Sequence, residues 1–177
     1  MVNIDNMVIP QVIHLFNVYK DGNKQIGIAN EVTLPEIPYK TVTIDGAGIP
    51  GSYDAAVIGN FDSIKQTIPF INLYTNMIDF TDPEALQDIT MRASLQIENK
   101  STGATDYVGL RVVEKGKCIS FNPGQMKQAD RMSATVTIEC MYILIEIDGK
   151  KLIEIDKWNG IYIVNGKDLM EKARKYC

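Results

Sequence analysis

Apolar and polar residues alternate without interruption over ten positions in the middle of the chain. The apolar positions are Ile89, Met91, Ala93, Leu95 and Ile97, and the polar positions between them are Thr90, Arg92, Ser94, Gln96 and Glu98. A period of two residues is that of a β-strand, because successive side chains point to opposite faces of the sheet. The stretch therefore predicts a strand with one dry and one solvated face.

Two antiparallel hairpins are predicted in the second half of the chain. Turn residues at 99–103 are followed by 106–113, where Val108, Leu110 and Val112 share one face. Residues 133–147 are rich in Val, Thr, Ile and Tyr, and the dipeptide Asp148-Gly149 separates them from a partner strand at 151–156. A further short strand is predicted at 161–164.

The remaining elements give weaker signals. Strand candidates lie at residues 12–18, 25–33, 41–44, 52–58 and 63–70. Asp82 followed by Pro83 predicts a short helix from 83 to about 88, and the spacing of apolar residues in 167–176 predicts a C-terminal amphipathic helix. The pattern predicts a β-sandwich or barrel, all-β dominated, with one short internal helix and a C-terminal helix.

Composition narrows the class of protein. The 177 residues are 45% hydrophobic and 23% charged, which is typical of a globular protein, and no linker or repeat divides them, so a single domain over 1–177 is predicted. The net charge is −4 with no basic stripe, which disfavours tight DNA binding but not the passage of DNA. No secretory signal or membrane anchor is predicted, so synthesis in the cytoplasm is expected.

No catalytic or metal-binding constellation is recognised, and no cofactor is predicted. His14 is the sole histidine and lies among apolar residues, where a semi-buried strand position explains it better than catalysis. The three widely spaced cysteines fit neither a disulfide framework nor a zinc site. Gly46, Ala47, Gly48, Ile49, Pro50 and Gly51 look superficially like a nucleotide loop but lack the Lys and Ser/Thr that follow in one, and they predict an exposed irregular loop.

Several short motifs, in order along the chain, resemble the major tail tube protein of contractile-tailed (P2-like) bacteriophages and of R-type tail-like bacteriocins. They include 14–17 (HLFN), 27–29 (GIA), 33–35 (TLP), the glycine-rich 46–51, 122–124 (NPG) and 152–156 (LIEID). The resemblance extends from about residue 13 to residue 168. It implies a non-enzymatic β-sandwich subunit that assembles into hexameric rings, which stack into a hollow tube inside a contractile sheath.

The resemblance also implies partners and a location. The subunit would contact copies of itself within and between rings, the tail sheath protein, and baseplate and terminator proteins at the tube ends, with DNA present only in transit. It would reside in the virion or bacteriocin particle after synthesis in the host cytoplasm.

Three hypotheses connect these expectations to residues. Thr90, Arg92, Ser94, Gln96 and Glu98 are expected to face the lumen, and residues 46–51 are expected to dock onto the adjacent ring. The net acidity is expected to limit adhesion of DNA through like-charge repulsion. The alternatives are a tube subunit of another contractile injection system, a monomeric β-sandwich module that binds a small molecule or carbohydrate, and a β-barrel enzyme using His14.

Overall fold

A computed structural model of the protein describes residues 8–176 and contains eleven strands and two short helices. The strands are β1 (Val8–Lys20), β2 (Asn23–Lys24), β3 (Tyr39–Ile44), β4 (Tyr53–Phe61), β5 (Lys65–Phe70), β6 (Gln87–Asn99), β7 (Thr105–Asn122), β8 (Ala134–Ile147), β9 (Lys150–Asp156), β10 (Ile161–Val164) and β11 (Lys167–Asp168). The helices are α1 (Thr75–Ile78) and α2 (Glu171–Arg174). Within 8–176, neither helix has the length and apolar character needed to cross a membrane.

Most strands belong to one antiparallel sheet in the order β11-β10-β9-β8-β7-β6-β1-β2. The long strand β8 also pairs with β5, so its first half, 134–139, lies between β5 and β7. Strands β3 and β4 form a separate two-stranded sheet. The fold is therefore dominated by β-structure, as the alternation in the sequence predicted.

The core lies against one face of the main sheet and comprises two apolar clusters. The larger cluster includes Phe70 and Phe80, whose rings make an edge contact at 5.5 Å between centroids. The smaller cluster surrounds Ile64 and Tyr162 near β9 and β10. Burial of this face stabilises the fold through the hydrophobic effect, and the opposite face is available for other contacts.

The internal helix predicted at 83–88 is wrong. Asp82 does accept hydrogen bonds from the backbone N–H groups of Glu84 and Ala85, at 2.8 and 3.3 Å. The chain makes only this turn, because β6 begins at Gln87 and pairs there with Gly116. The internal helix is instead α1, which buries Met77.

Two other sequence predictions also need correction. Residues 25–33 do not form a strand, since they contribute only a single bridge between Ile28 and Phe70. The predicted helix at 167–176 is reduced to the four residues of α2, because β11 pairs with β10 before the helix begins. The first residues of the predicted helix therefore form β11, and only later residues form a helix.

Candidate assembly surfaces

The polar residues of β6 lie on one face of the main sheet, which we call the polar face. Residues paired directly across an antiparallel sheet have their side chains on the same face. Register therefore places Thr90 with Val113, Arg92 with Arg111, and Gln96 with Tyr107. The predicted lumen residues Thr90, Arg92, Ser94, Gln96 and Glu98 are brought together along the strand as the alternation required.

Strand β1 makes side-chain contacts with this row of polar residues. Gln11 lies where the register between β1 and β6 shifts, and its amide donates to Glu98 at 2.5 Å and accepts from the Gln96 amide at 2.7 Å. At the second register shift, the Ser94 hydroxyl accepts from the Leu15 backbone N–H at 3.2 Å. These hydrogen bonds hold the row in a fixed orientation.

Three basic side chains of the polar face are paired with carboxylates, and a fourth lies over an aromatic ring. The Arg111 guanidinium lies 2.7 Å from Glu146. The Lys115 ammonium lies 2.8 Å from Asp88, and the Lys151 ammonium lies 3.0 Å from Glu154. Arg92 lies over the ring of Tyr19, 5.6 Å from its centroid. The three carboxylate partners reduce the positive charge that the face can offer to a phosphate.

The polar face is not uniformly polar, because β1 contributes large apolar side chains to it. Val12 pairs with Gln96 and Leu15 pairs with Ser94, yet these two side chains are 57% and 65% exposed. In the described part of the chain, β2 covers β1 only at Tyr19 and Lys20, so the edge of β1 from 8 to 18 has no strand beside it. An open strand edge with exposed apolar side chains is a surface on which another chain can pair.

The hairpin of β3 and β4, which we call the arm, carries the predicted inter-ring loop at its tip. Gly46, Ala47, Gly48, Ile49, Pro50 and Gly51 connect the two strands and are all exposed. Gly46, Gly48 and Gly51 have positive φ angles, which glycine adopts without steric cost. The structure thus confirms an irregular exposed loop.

The two strands of the arm give it one apolar and one polar face. Val42 pairs with Ala55, and Ile44 pairs with Tyr53, so these four side chains share a face. The opposite face carries the pair formed by Thr43 and Asp54, whose side chains are hydrogen-bonded at 2.7 Å. Val42 and Tyr53 are 48% and 57% exposed. The apolar face is therefore largely open to solvent.

The base of the arm is fixed to the C-terminal part of the main sheet. The Tyr39 and Tyr162 hydroxyls are 2.8 Å apart, and the rings of Phe61 and Tyr162 make an edge contact at 5.1 Å between centroids. Gly59 allows Met170 to pack directly on the arm, since a Cβ atom at this position would overlap the Met170 side chain. The arm thus projects from an anchored base.

The residues considered for catalysis are not assembled into a site. His14 contacts the Tyr107 ring at 5.4 Å between centroids. Cys118 and Cys140 are buried, and this burial raises the pKa of both thiols, which disfavours the nucleophilic thiolate. Within residues 8–176, no group of three or more His, Cys, Asp or Glu side chains is arranged to hold a metal ion.

Two apolar surfaces were missed by the sequence interpretation. One is the apolar face of the arm, although the alternation of Val42 and Ile44 with threonines carries a detectable signal. The other is an open cavity of about 510 Å³ between β1, β6, β7 and the segment 30–34. Its walls come from parts of the chain far apart in sequence, so no local pattern could have indicated it.

Comparison with known proteins identifies relatives along nearly the whole chain. Residues 10–176 match the family described as phage tail tube protein FII. The chain is 28% identical over 170 residues to the tail tube protein of Escherichia phage P2, covering 96% of this chain and 98% of that protein. It is 29% identical over 163 residues to the major tail tube protein of Serratia phage KSP20, covering 92% of each.

A contractile-system protein of known structure shares the fold. It is the sheath/tube terminator of an extracellular contractile injection system, PVC, in the extended state. The superposition has a TM-score of 0.54 and covers 78% of this chain and 97% of the terminator, with 15% sequence identity. At this identity the likeness concerns the fold alone.

Proposed function

The chain belongs to the phage tail tube protein FII family, and from that premise we propose that six copies form a ring and that rings stack into the hollow inner tube of a contractile tail. As a tail tube protein it is a structural subunit rather than an enzyme. We propose that the tube conducts DNA or pierces the target envelope. Its proposed partners are further copies, the tail sheath protein, and baseplate and terminator proteins at the ends.

The observation that carries this proposal is the arm. A two-stranded hairpin with an exposed apolar face is costly for an isolated subunit, because exposed apolar ribbons favour association. Tyr39 and Phe61 fix its base on the subunit, while Gly46 to Gly51 form a tip that can adapt to a second surface. Contacts that repeat head to tail build an open polymer, which is what a tube requires.

We expect deletion of Ala47 to Pro50 to abolish polymerisation while leaving a soluble subunit. The deleted residues are exposed and lie outside the core clusters, so the fold should persist. Electron microscopy of the concentrated wild-type protein is expected to show rings or hollow rods. The same preparation of the deletion variant should show no rods, and single rings there would agree with a role of the loop between rings.

A variant in which 47–50 are replaced by four Gly and Ser residues provides the matched control for loop length. Restored rods in this control would assign the effect to length rather than to the apolar side chain of Ile49. Circular dichroism and thermal unfolding establish that each variant is folded. Normal rods from the folded deletion variant would refute the role of the loop.

We propose that Thr90, Arg92, Ser94, Gln96 and Glu98 line the lumen. The sharing of one face, the hydrogen bonds with Gln11 and the carboxylate partners of three cations support this assignment. A face on which Arg111, Lys115 and Lys151 already have carboxylate partners would attract the DNA backbone weakly, since phosphate affinity rests on available Lys and Arg charge. The lumen would then guide DNA without retaining it.

We expect cysteine at position 96 to react with a bulky thiol reagent in assembled tubes and cysteine at position 95 to be protected. The two neighbours point to opposite faces of β6, so each serves as the control for the other. The measurement is the labelled fraction by mass spectrometry, before and after assembly. Protection of 96 together with reaction at 95 would show that the opposite face borders the lumen.

A further inference from the structure

The open cavity between β1 and the segment 30–34, which we call the apolar cleft, is not filled by side chains of residues 8–176. Its walls include Ile13, Phe16, Val32, Leu34, Met91 and Leu110, and its volume is about 510 Å³. Ile13 and Leu34 are 58% and 42% exposed at its mouth. An opening of this kind beside the core clusters leaves apolar surface in water, which is unfavourable in proportion to the area exposed.

The apolar face of the arm is the complementary feature of the same chain. It presents Val42, Ile44, Tyr53 and Ala55 in two adjacent strands. Adjacent strands lie about 4.8 Å apart, so the ribbon with its side chains is roughly 10 Å wide. Both surfaces expose large aliphatic or aromatic groups, and each lacks a cover within residues 8–176.

The positions of the two surfaces favour a contact between copies. The cleft lies at the β1 end of the main sheet, whereas the base of the arm is fixed to β10 and the residues after it, at the opposite end. A subunit that offers one surface at each end can bind the next copy head to tail. In such a heterologous pair, one copy still has a free arm and the other still has a free cleft. Further copies can therefore add at both ends.

We propose that the apolar face of the arm of one copy docks into the apolar cleft of a second copy of this chain. This inference rests on the proposed tube function and names the receptor that the arm requires. The glycine-rich tip extends past the cleft, so docking of the strands is compatible with contact between the tip and a further surface.

Charges at the margins of the two surfaces allow one ion pair between them. Successive residues of a strand alternate between faces, so Lys40 lies on the same face as Val42 at the base of the arm. Glu31 and Arg92 line the cleft. The margin of the cleft therefore carries one charge of each sign, and docking is favoured in the register that brings Lys40 beside Glu31 and away from Arg92. This register leaves Asp54 on the outer face with Thr43. Complementary rim charges fix the register of an interface more than its affinity.

Disulfide trapping between two singly substituted proteins tests the proposal. One protein carries Val42→Cys and the other carries Leu34→Cys, both with Cys177→Ser, since Cys118 and Cys140 are buried. Mixed copies are concentrated, mildly oxidised and analysed by non-reducing electrophoresis and peptide mapping. A docked pair is held at an effective concentration of millimolar order, so we expect at least about tenfold more dimer than from unassociated copies.

The matched control replaces Val42→Cys with Thr43→Cys, which lies on the opposite face of the same strand. We expect this pair to give little dimer, and we expect a protein carrying both Val42→Cys and Leu34→Cys to give a ladder of higher oligomers. A ladder or dimer supports the proposal even where no rods are visible.

Two outcomes would overturn the inference, and they differ in what they say about the tube. Rings or rods in the electron micrographs without selective trapping of 42 to 34 would exclude the cleft as the receptor while leaving the tube function intact. Monomers at all concentrations, with no trapping and with the apolar dye 8-anilinonaphthalene-1-sulfonate protecting the Leu34→Cys variant from labelling, would contradict both. That result would favour a binding module.

Discussion

Replacing Glu114 by methionine is expected to increase the free energy of unfolding by roughly 3–5 kcal/mol more at pH 8 than at pH 4. Glu114 is 1% exposed and lies on the core face of β7. Among the described residues, neither of its carboxylate oxygens has a hydrogen-bond partner. Methionine has a similar length and no polar group that needs a partner.

The environment of Glu114 explains why its charged form is disfavoured. Register places it between Ile89 on β6 and Ile143 on β8, both 1% exposed. The nearby titratable group is the buried Cys140 thiol, whose own pKa is raised in part by the Glu114 charge. Removal from water raises the pKa of the Glu114 carboxyl from 4.5 to about 8.

The sign of the pH dependence follows from this shift. Below pH 4.5 the carboxyl is protonated in both the folded and the unfolded state, so it does not affect stability through titration. Between pH 4.5 and about 8 the folded state retains a proton that the unfolded state has lost, and stability falls as pH rises, by about 1.4 kcal/mol per unit. Above pH 8 the loss levels off at roughly 4–5 kcal/mol.

Urea unfolding from pH 4 to pH 9 measures this effect as the difference between wild-type and variant stability. The difference cancels the contributions of other groups, such as Asp168, whose pKa is lowered by Arg174. Glu114→Gln should also remove the slope but gain less, because its buried amide needs partners. The exposed control Glu84→Gln should leave the slope unchanged, and a pH-independent difference for Glu114→Met would show that Glu114 is not the titrating group.

Glu114 also illustrates what the sequence could not predict about the main sheet. The alternation in β6 fixed the strand and its faces, and the pairing of Leu95 with Val108 and of Met91 with Val112 confirms the predicted hairpin. The alternation predicted the partner strand only over residues 106–113. Strand β7 instead continues to Asn122 because β8 and β5 complete the pairing there.

Short capping signals were overridden by the same tertiary pairing. Asp82 and Pro83 begin a turn with the geometry of a helix start, but the pairing of β6 with β7 requires Gln87 to be extended. Local propensity in a stretch this short is worth only a few tenths of a kcal/mol per residue. A strand paired along its whole length outweighs it.

Among the candidate assembly surfaces, some features follow from local sequence and others depend on tertiary contacts. The exposed loop at 46–51 was predicted from local composition, because glycine and proline act on their own backbone. The pairing that turns its flanks into an arm with an apolar face depends on contacts between Val42 and Ala55 and between Ile44 and Tyr53. The cleft depends on side chains from Ile13 to Val112. Local sequence therefore predicted the exposed loop, whereas the apolar face of the arm and the cleft arise only from the fold.

Gly116→Ala is expected to lower the free energy of unfolding by about 3 kcal/mol, which corresponds to a fall in Tm of roughly 6–12 °C for a chain of this size. Gly116 lies at a register shift between β7 and β8, where it pairs with Cys140. A Cβ atom at this position would overlap the backbone carbonyl of Glu139, and also crowd the side chain of Ile138. Backbone in the middle of a paired strand cannot move aside without breaking hydrogen bonds.

Gly109→Ala is the matched control, because Gly109 lies in the same strand and a Cβ atom there would meet nothing within 4 Å. It should be neutral or stabilising by up to about 1 kcal/mol, since alanine restricts the unfolded chain. Calorimetry of both variants measures the contrast. Equal Tm values would mean that β8 accommodates the methyl group. If Gly116→Ala lowers the Tm as expected while Gly109→Ala still forms rods, the loss of stability comes from the close approach of β7 to β8 at position 116. It would not be a general effect of placing alanine in β7.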